Sequence, residues 1–368
     1  MRKYVLYLLL ILMLSLFPMN AGLAADESGY PRTITDSAGR EVTIQMPVER
    51  IIVLHSDAAE AVRLLGDADK IVGITDYIQK ESDYFPELVD RDIVGTWYEF
   101  DYEKIAEIAL GDDDKIVPNI VVIGYPSGTY KGASYGVDAI EAGLAPFEGI
   151  AVLGFDFNKP ETMYDEITTL GELLGKEDEA ADYLNWYNEK LANVEDAVKD
   201  LPMQTVYVER SSKGLGELQT VGTSYEFHKK LELAGGSNIC KEDVSGPTVT
   251  WEWVMNENPD AILLLPSSID PSIKGLGWSS EYLPLVETFR DDLISRPGAE
   301  SINAIENDRV FVLYRGIFFG LDEVAGLTYM AKILHPEIDL DPEAVYKEYL
   351  DQIGFAYPEG NVFTCPAV

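Results

Sequence analysis

Short apolar runs in this 368-residue chain end, one after another, on aromatic, hydroxyl or basic side chains. RIIVL is followed by His55 and Ser56, KIVGI leads to Tyr77, and NIVVIG runs into Tyr125. TVYVE is followed by Arg210 and VFVLY by Arg315, while Trp97 and Tyr98 stand just ahead of the helical stretch DYEKIAEIAL. Tyr225 and Trp278 fall between elements of the second half. In an open α/β sheet the ligand crevice lies outside the carboxyl ends of the strands, so side chains at these positions are candidates for contact with a bound molecule. Rings suit a large planar or polycyclic ligand, and guanidinium forks suit carboxylate or catecholate oxygens.

The same sequence argues against turnover. Its three histidines, His55, His228 and His335, are too few and too scattered for a multi-histidine metal cage. His55, Ser56 and Asp57 are neighbours in sequence, and neighbours do not converge on one point as a catalytic triad must. Gly222-Thr223-Ser224-Tyr225-Glu226 lacks the closing glycine of a nucleophile elbow. Asp112 to Asp114 lack the ligand spacing of a calcium loop, and no phosphate-cradling glycine loop occurs. No cofactor is expected.

The elements that must position the candidate residues are legible in outline. Apolar runs of strand length alternate with amphipathic segments such as AAEAVRLLG, DYEKIAEIAL and SYGVDAIEAGL, the pattern of a parallel sheet covered on both faces. From Glu177 to Lys199 one uninterrupted helix is predicted. Ala180, Leu184, Tyr187, Leu191, Val194 and Val198 form a single apolar stripe, acidic residues fill the first turn, and Pro202 follows the end. Beyond it the α/β pattern restarts, so the long helix separates two similar units.

Twenty-eight basic residues against 64 acidic ones give a formal charge of -36. Such a surface repels phosphate backbones and anionic headgroups, which argues against nucleic acid and electrostatic membrane binding. Arg2 and Lys3 precede an apolar run from Tyr4 to Phe17, and small residues follow before Asp26, the pattern of a cleaved export signal. A retained anchor is the competing expectation. No cysteine lies near that site, so lipid attachment is not expected there. Cys240 and Cys365 are the two cysteines; in an exported chain they can pair and pin the tail to the second unit, the alternative being two buried thiols.

Taken in order, TITDSAGREVTI with Pro47 and ERIIVL, LLGDADKIVGI, GTWYEFDYEKIAEI, LLGKEDEAADYL, LELAGGSNIC, NPDAILLL, ENDRVFVL and AKILHPE resemble the ferric-siderophore and cobalamin family of ABC-transporter substrate-binding proteins. The resemblance implies an α/β fold of two Rossmann-like lobes joined by a single long α-helix, with the ligand clasped between them. Its expected divisions are a signal peptide at 1–24, a first lobe at 26–160, an interlobe helical backbone at 161–200, and a second lobe with closing helices and tail at 201–368. It implies an exported receptor, periplasmic or cell-surface, monomeric when free, that passes a small-molecule metal chelate to a permease dimer with its ATPase. Glu103 and Glu252 take the places of the glutamates that dock into arginine pockets on the two permease subunits. Trp97 precedes Glu103 by the spacing seen in the cobalamin-binding member. Where that member has a Trp before a Pro, this chain has Gly246 before Pro247, which ranks a corrinoid or haem behind a ferric siderophore. An oxyanion such as molybdate or tungstate ranks lower still. From a different class, the fold also serves tetrapyrrole metal chelatases, which the export signal and the lack of a His and Glu cluster argue against.

Overall fold

The computed structural model describes residues 29–212, 214–266 and 276–368, so the expected signal segment lies outside it. The chain opens with the predicted hairpin, β1 (Arg32–Thr35) and β2 (Glu41–Ile44), which turns through Gly39 at φ 77°. The Asp36 carboxylate accepts from Gly154 N–H at 2.9 Å, which anchors the hairpin to the first lobe.

That lobe runs β3 (Arg50–Val53), α1 (Ser56–Leu64), β4 (Ile71–Ile74), β5 (Asp92–Ile93), α2 (Tyr102–Ala109) and β6 (Ile120–Gly124). A two-rung hairpin of β7 (Thr129–Tyr130) and β8 (Ala133–Ser134) follows, then α3 (Val137–Leu144) and β9 (Ala151–Gly154). The sheet order is β5-β4-β3-β6-β9, parallel throughout. Ile51, Ile52, Val53 and Val121 to Ile123 are buried on both sheet faces, as continuous apolar runs in a helix-covered parallel sheet must be.

Two helices then cross over, α4 (Pro160–Leu174) and α5 (Glu177–Val198). α5 is the predicted long helix, roughly 33 Å at 1.5 Å per residue. Its buried stripe adds Tyr183 to the expected Ala180, Leu184, Tyr187, Val194 and Val198, with Leu191 half-buried. The apolar phenyl bodies pack inward while the hydroxyls find acceptors. Tyr183 Oη donates to Leu321 O and Tyr187 Oη to Glu323 Oε1, both at 2.8 Å. Burial, with Glu323 beside it, holds the Tyr187 phenol far above the usual tyrosine range.

The second lobe runs β10 (Gln204–Ser212), β11 (Leu218–Thr220), α6 (Glu226–Leu233), β12 (Gly236–Asn238), β13 (Thr248–Val249), α7 (Trp251–Glu257) and β14 (Ala261–Leu264). It closes with α8 (Leu283–Ile294), β15 (Val310–Leu313), α9 (Glu323–Leu334), α10 (Pro342–Gln352) and β16 (Thr364–Cys365). Strands β12, β10, β14 and β15 are parallel and repeat the first lobe's β4, β3, β6 and β9. Unlike the first sheet, this one is mixed. β10 continues past its parallel partners and turns back antiparallel into β11, and the tail adds β16 antiparallel to β15. α10 also reaches back to the first lobe. Glu60 of α1, 0% exposed, accepts from Tyr84 Oη at 2.7 Å and from Tyr349 Oη at 2.5 Å.

The cysteine pairing is overturned in favour of its alternative, for Cys240 and Cys365 are both free and buried. Cys240 follows β12 and Cys365 lies in β16, at opposite edges of the sheet with β10, β14 and β15 between. Four strand spacings of about 4.8 Å far exceed the roughly 5.5 Å Cα separation of a disulfide. Among the described residues no helix is long and apolar enough to cross a membrane.

Candidate functional site

Between the lobes lies a cleft of about 380 Å³, and the carboxyl ends of β3, β4, β6, β9 and β15 open onto it. The first lobe lines it with His55, Ser56, Asp57, Tyr77, Trp97, Tyr125 and Asn158; the second contributes Glu226, Arg315, Gly316 and Phe319. Six of the residues picked from strand ends and turns therefore meet on one surface: His55, Ser56, Tyr77, Trp97, Tyr125 and Arg315.

His55 is fully engaged by its surroundings. Its Nδ1 accepts from Ala58 N–H at 3.2 Å as the N-cap of α1, and Nε2 lies 2.9 Å from Phe155 O. A ring nitrogen that accepts at Nδ1 carries its proton on Nε2, so the imidazole is neutral and donates to Phe155. The ring stacks on Tyr125 at 4.0 Å and 15°, which fixes that tyrosine's face.

Trp97 and Tyr98 sit at the tip of a tight turn. Thr96 N–H donates to Glu99 O at 2.8 Å, Glu99 N–H returns to Thr96 Oγ1 at 3.0 Å, and Gly95 adopts φ 128°. A Cβ at Gly95 would lie 2.2 Å from Glu99 O, so only glycine closes this turn. Trp97 contacts Tyr98 at 4.7 Å, Tyr130 at 4.8 Å and Tyr135 at 5.5 Å between ring centres, and Tyr135 meets Tyr125 at 6.0 Å. The result is a continuous aromatic wall. Tyr98 is its second row, behind Trp97 and outside the cleft lining. Tyr130 and Tyr135 were missed by sequence reading because they come from the β7–β8 hairpin rather than a strand end. The spacing of tyrosines in YPSGTYKGASYG was the available signal.

The second wall is polar. Arg315 lies in the turn that follows β15, its guanidinium 5.0 Å above the Phe319 ring. Lys230, 3% exposed, braces that turn from below: Nζ donates to Phe318 O at 2.7 Å and pairs with Glu323 at 2.6 Å. Glu226 opens α6 and faces the cleft, where burial pushes its carboxyl above the ordinary range. Glu226, Asp57, Asn158 and Phe319 were not among the residues expected here. Glu226 in particular looks in sequence like an ordinary first-turn acid.

Three expected residues fall elsewhere. Arg210 and Tyr225 flank the cleft as a pair, with the guanidinium 4.4 Å over the ring and Tyr225 also 6.2 Å from Phe319. Tyr225 lines an adjoining hollow with Lys159 and Lys229. Trp278 is a correction: it is 2% exposed, bonded through its backbone to Val362 and packed edge-on at 5.4 Å against Tyr314. The chain's tail covers it, which turns a loop tryptophan into core.

Glu103 and Glu252 occupy matching places on the two lobes. Each is the second residue of a helix whose N-cap side chain, Asp101 or Thr250, accepts from the residue just after the glutamate. Both glutamates are exposed, and neither has an ion pair among the described residues. No group of three or more His, Cys, Asp or Glu side chains among the described residues is arranged to hold a metal.

Two α/β lobes bridged by a long helix flank this cleft, the architecture of a two-lobed binding protein. Residues 51–315 match the Periplasmic binding protein family, and the chain belongs to it. The chain is similar, at 24% identity over 238 residues, to a cobalamin-binding protein of Halobacterium salinarum; the match covers 64% of this chain and spans 58% of that relative's length. It is equally similar, at 24% identity over 287 residues, to the ABC transporter substrate-binding lipoprotein YvrC of Bacillus subtilis, covering 75% of this chain and 84% of that one. Among solved structures it resembles the TroA-like periplasmic binding protein FepB of Veillonella parvula, with TM-score 0.68, 24% identity, and coverage of 91% and 99%. The two-lobed, helix-bridged fold expected from the sequence is thus the observed one, and substrate-binding proteins of this family work with ABC importers.

Proposed function

We propose that this chain is an exported receptor that captures a metal chelate of the ferric-siderophore kind between its lobes and delivers it to an ABC importer. The observation that carries the proposal is the cleft itself, an aromatic wall centred on Trp97 and Tyr125 facing Arg315 across the gap. Rings supply contact area to a bulky organic ligand shell, and the guanidinium reads its oxygens. A corrinoid is the second reading, favoured by the ring-rich lining and by the name of the Halobacterium relative. On this reading the chain acts by binding, as the solute-binding proteins of its family do.

α5 holds the lobes at nearly fixed separation, with residues 161–200 as the spacer between lobes at 26–160 and 201–368. Glu103 and Glu252 then stand as two docking points for a permease dimer, one per lobe, each unpaired and able to accept an arginine fork. The free receptor is monomeric. Titration of the purified protein with ferric siderophores, haem, corrinoids and molybdate, followed by intrinsic Trp fluorescence, tests the ligand class. Quenching by at least one chelate is expected, and silence with all of them removes the proposal. Glu103→Lys with Glu252→Lys is expected to abolish uptake in cells while ligand affinity stays within about two-fold, because both side chains lie off the cleft. Lost affinity in the purified variant would mean that the two glutamates serve the cleft instead.

A further inference from the structure

We infer that Glu226 selects the charge of the molecule the cleft admits. The ligand is a chelate without net negative charge, whose periphery offers N–H groups to Glu226 and oxygen acceptors to Arg315. The inference deepens the receptor function proposed above and rests on it.

The charge balance of the lining leads there. Its carboxylate and guanidinium members are Asp57, Glu226 and Arg315, beside the phenols Tyr77 and Tyr125 and a His55 ring engaged on both nitrogens. Two carboxylates against one guanidinium leave the lining a net anion, inside a chain of formal charge -36. Asp57 accepts from Asn158 Nδ2 at 3.3 Å. Glu226 is different: among the described residues its carboxylate accepts no hydrogen bond and joins no ion pair, with Arg315 or any other group. Lys230 and Lys159 act on it electrostatically from nearby without pairing with it, and each nearby lysine is bonded elsewhere. Lys230 is held by Glu323 and Phe318 O, Lys159 by Asp156, and Lys229 by Glu161.

An unpaired carboxylate half withdrawn from water repels a polyanion and gains from N–H donors. A polyanionic chelate would meet one guanidinium and two like charges in a cleft that is poorly screened. An uncharged chelate bearing amides satisfies both unpaired groups, its N–H toward Glu226 and its carbonyl toward Arg315, while the aromatic wall covers its body. A first-turn acid needs only the helix N-terminus and solvent; this one lies on the cleft surface, opposite the aromatic wall.

The test compares an uncharged ferric trihydroxamate and cyanocobalamin with a polyanionic ferric tris-catecholate, each titrated against the purified protein by Trp quenching. The catecholate is expected to bind on the order of a hundred-fold more weakly than the better uncharged probe. Glu226→Gln should close that gap by roughly ten-fold, the effect of one like charge removed at close range. Glu226→Asp, which keeps the charge, should preserve the gap. Glu232→Gln should also preserve it, because it removes the same charge from the exposed side of α6. Catecholate affinity equal to that of the uncharged probes, or a Glu226→Gln gap no different from that of Glu232→Gln, overturns the inference and leaves the receptor function standing. Absence of quenching by all three probes, with haem and molybdate silent as well, overturns the receptor function itself.

Discussion

At the carboxyl ends of β3 and β6 the first lobe presents rings, and at the end of β15 the second lobe presents charges. β15 repeats β9 rather than β3 or β6, so the two walls rise from different places in their sheets, and they also differ in what packs behind them. Behind Trp97 are more rings, Tyr98, Tyr130 and Tyr135, and each meets it at a ring-centre distance of 4.7–5.5 Å. Behind Arg315 is a buried ion pair, Lys230 with Glu323, tied through Tyr187 to α5. The ring wall is held by many small contacts, any of which its neighbours can partly replace. The charged wall hangs on one polar network whose members cannot be removed singly without leaving a buried group unpaired.

The largest test of this contrast is Lys230→Met. Lys230 and Glu323 are each 3% exposed, and truncating one partner of a buried pair leaves the other uncompensated at a cost of about 3–5 kcal/mol. The midpoint of denaturant unfolding should fall accordingly. The Phe318 carbonyl also loses its donor, so the Arg315 turn should exchange its amides faster. The double variant Lys230→Met with Glu323→Leu should recover part of the loss, because no orphan charge remains. A Lys230→Met cost below about 1 kcal/mol would mean that the second wall does not depend on this pair.

How far the sequence revealed these two walls follows from the same contrast. Strand ends were legible because apolar runs stop sharply, and that rule brought out His55, Tyr77, Tyr125 and Arg315 together. The two-lobed plan and α5 were legible because their periodicities are long and uninterrupted. Residues that reach the cleft, or back its lining, from other elements were not. Tyr130 and Tyr135 arrive on a hairpin of two-residue strands too short to carry a period, and Glu226 obeys the ordinary preference for acids in a first helical turn. Trp278 failed for the opposite reason. Its burial depends on a tail bridged to it at Val362, more than 80 residues away, and no local pattern reports a tail that folds back. The mixed second sheet was hidden likewise, since β16 joins it only through that tail.

Trp97→Ala should cost less in stability than the change at Lys230, even though it removes a larger side chain. Trp97 is half-buried, and its ring pairs are each worth about 0.5–1.5 kcal/mol beyond area. Tyr98 and Tyr130 already touch each other at 4.8 Å, so they can close over part of the space it leaves. A fall of about 1–2 kcal/mol in unfolding free energy is therefore expected. Binding should suffer more, by roughly ten-fold or greater for an uncharged chelate, because the exposed face of the ring is contact area that no neighbour replaces. Trp97→Phe should restore most of the stability and only part of the affinity. If instead Trp97→Ala destabilises by 3 kcal/mol or more, judged against the roughly 3–5 kcal/mol expected at Lys230, the ring wall is the brittle one. The two lobes would then have to exchange roles, the charges serving as an adaptable surface and the rings as the single fixed support.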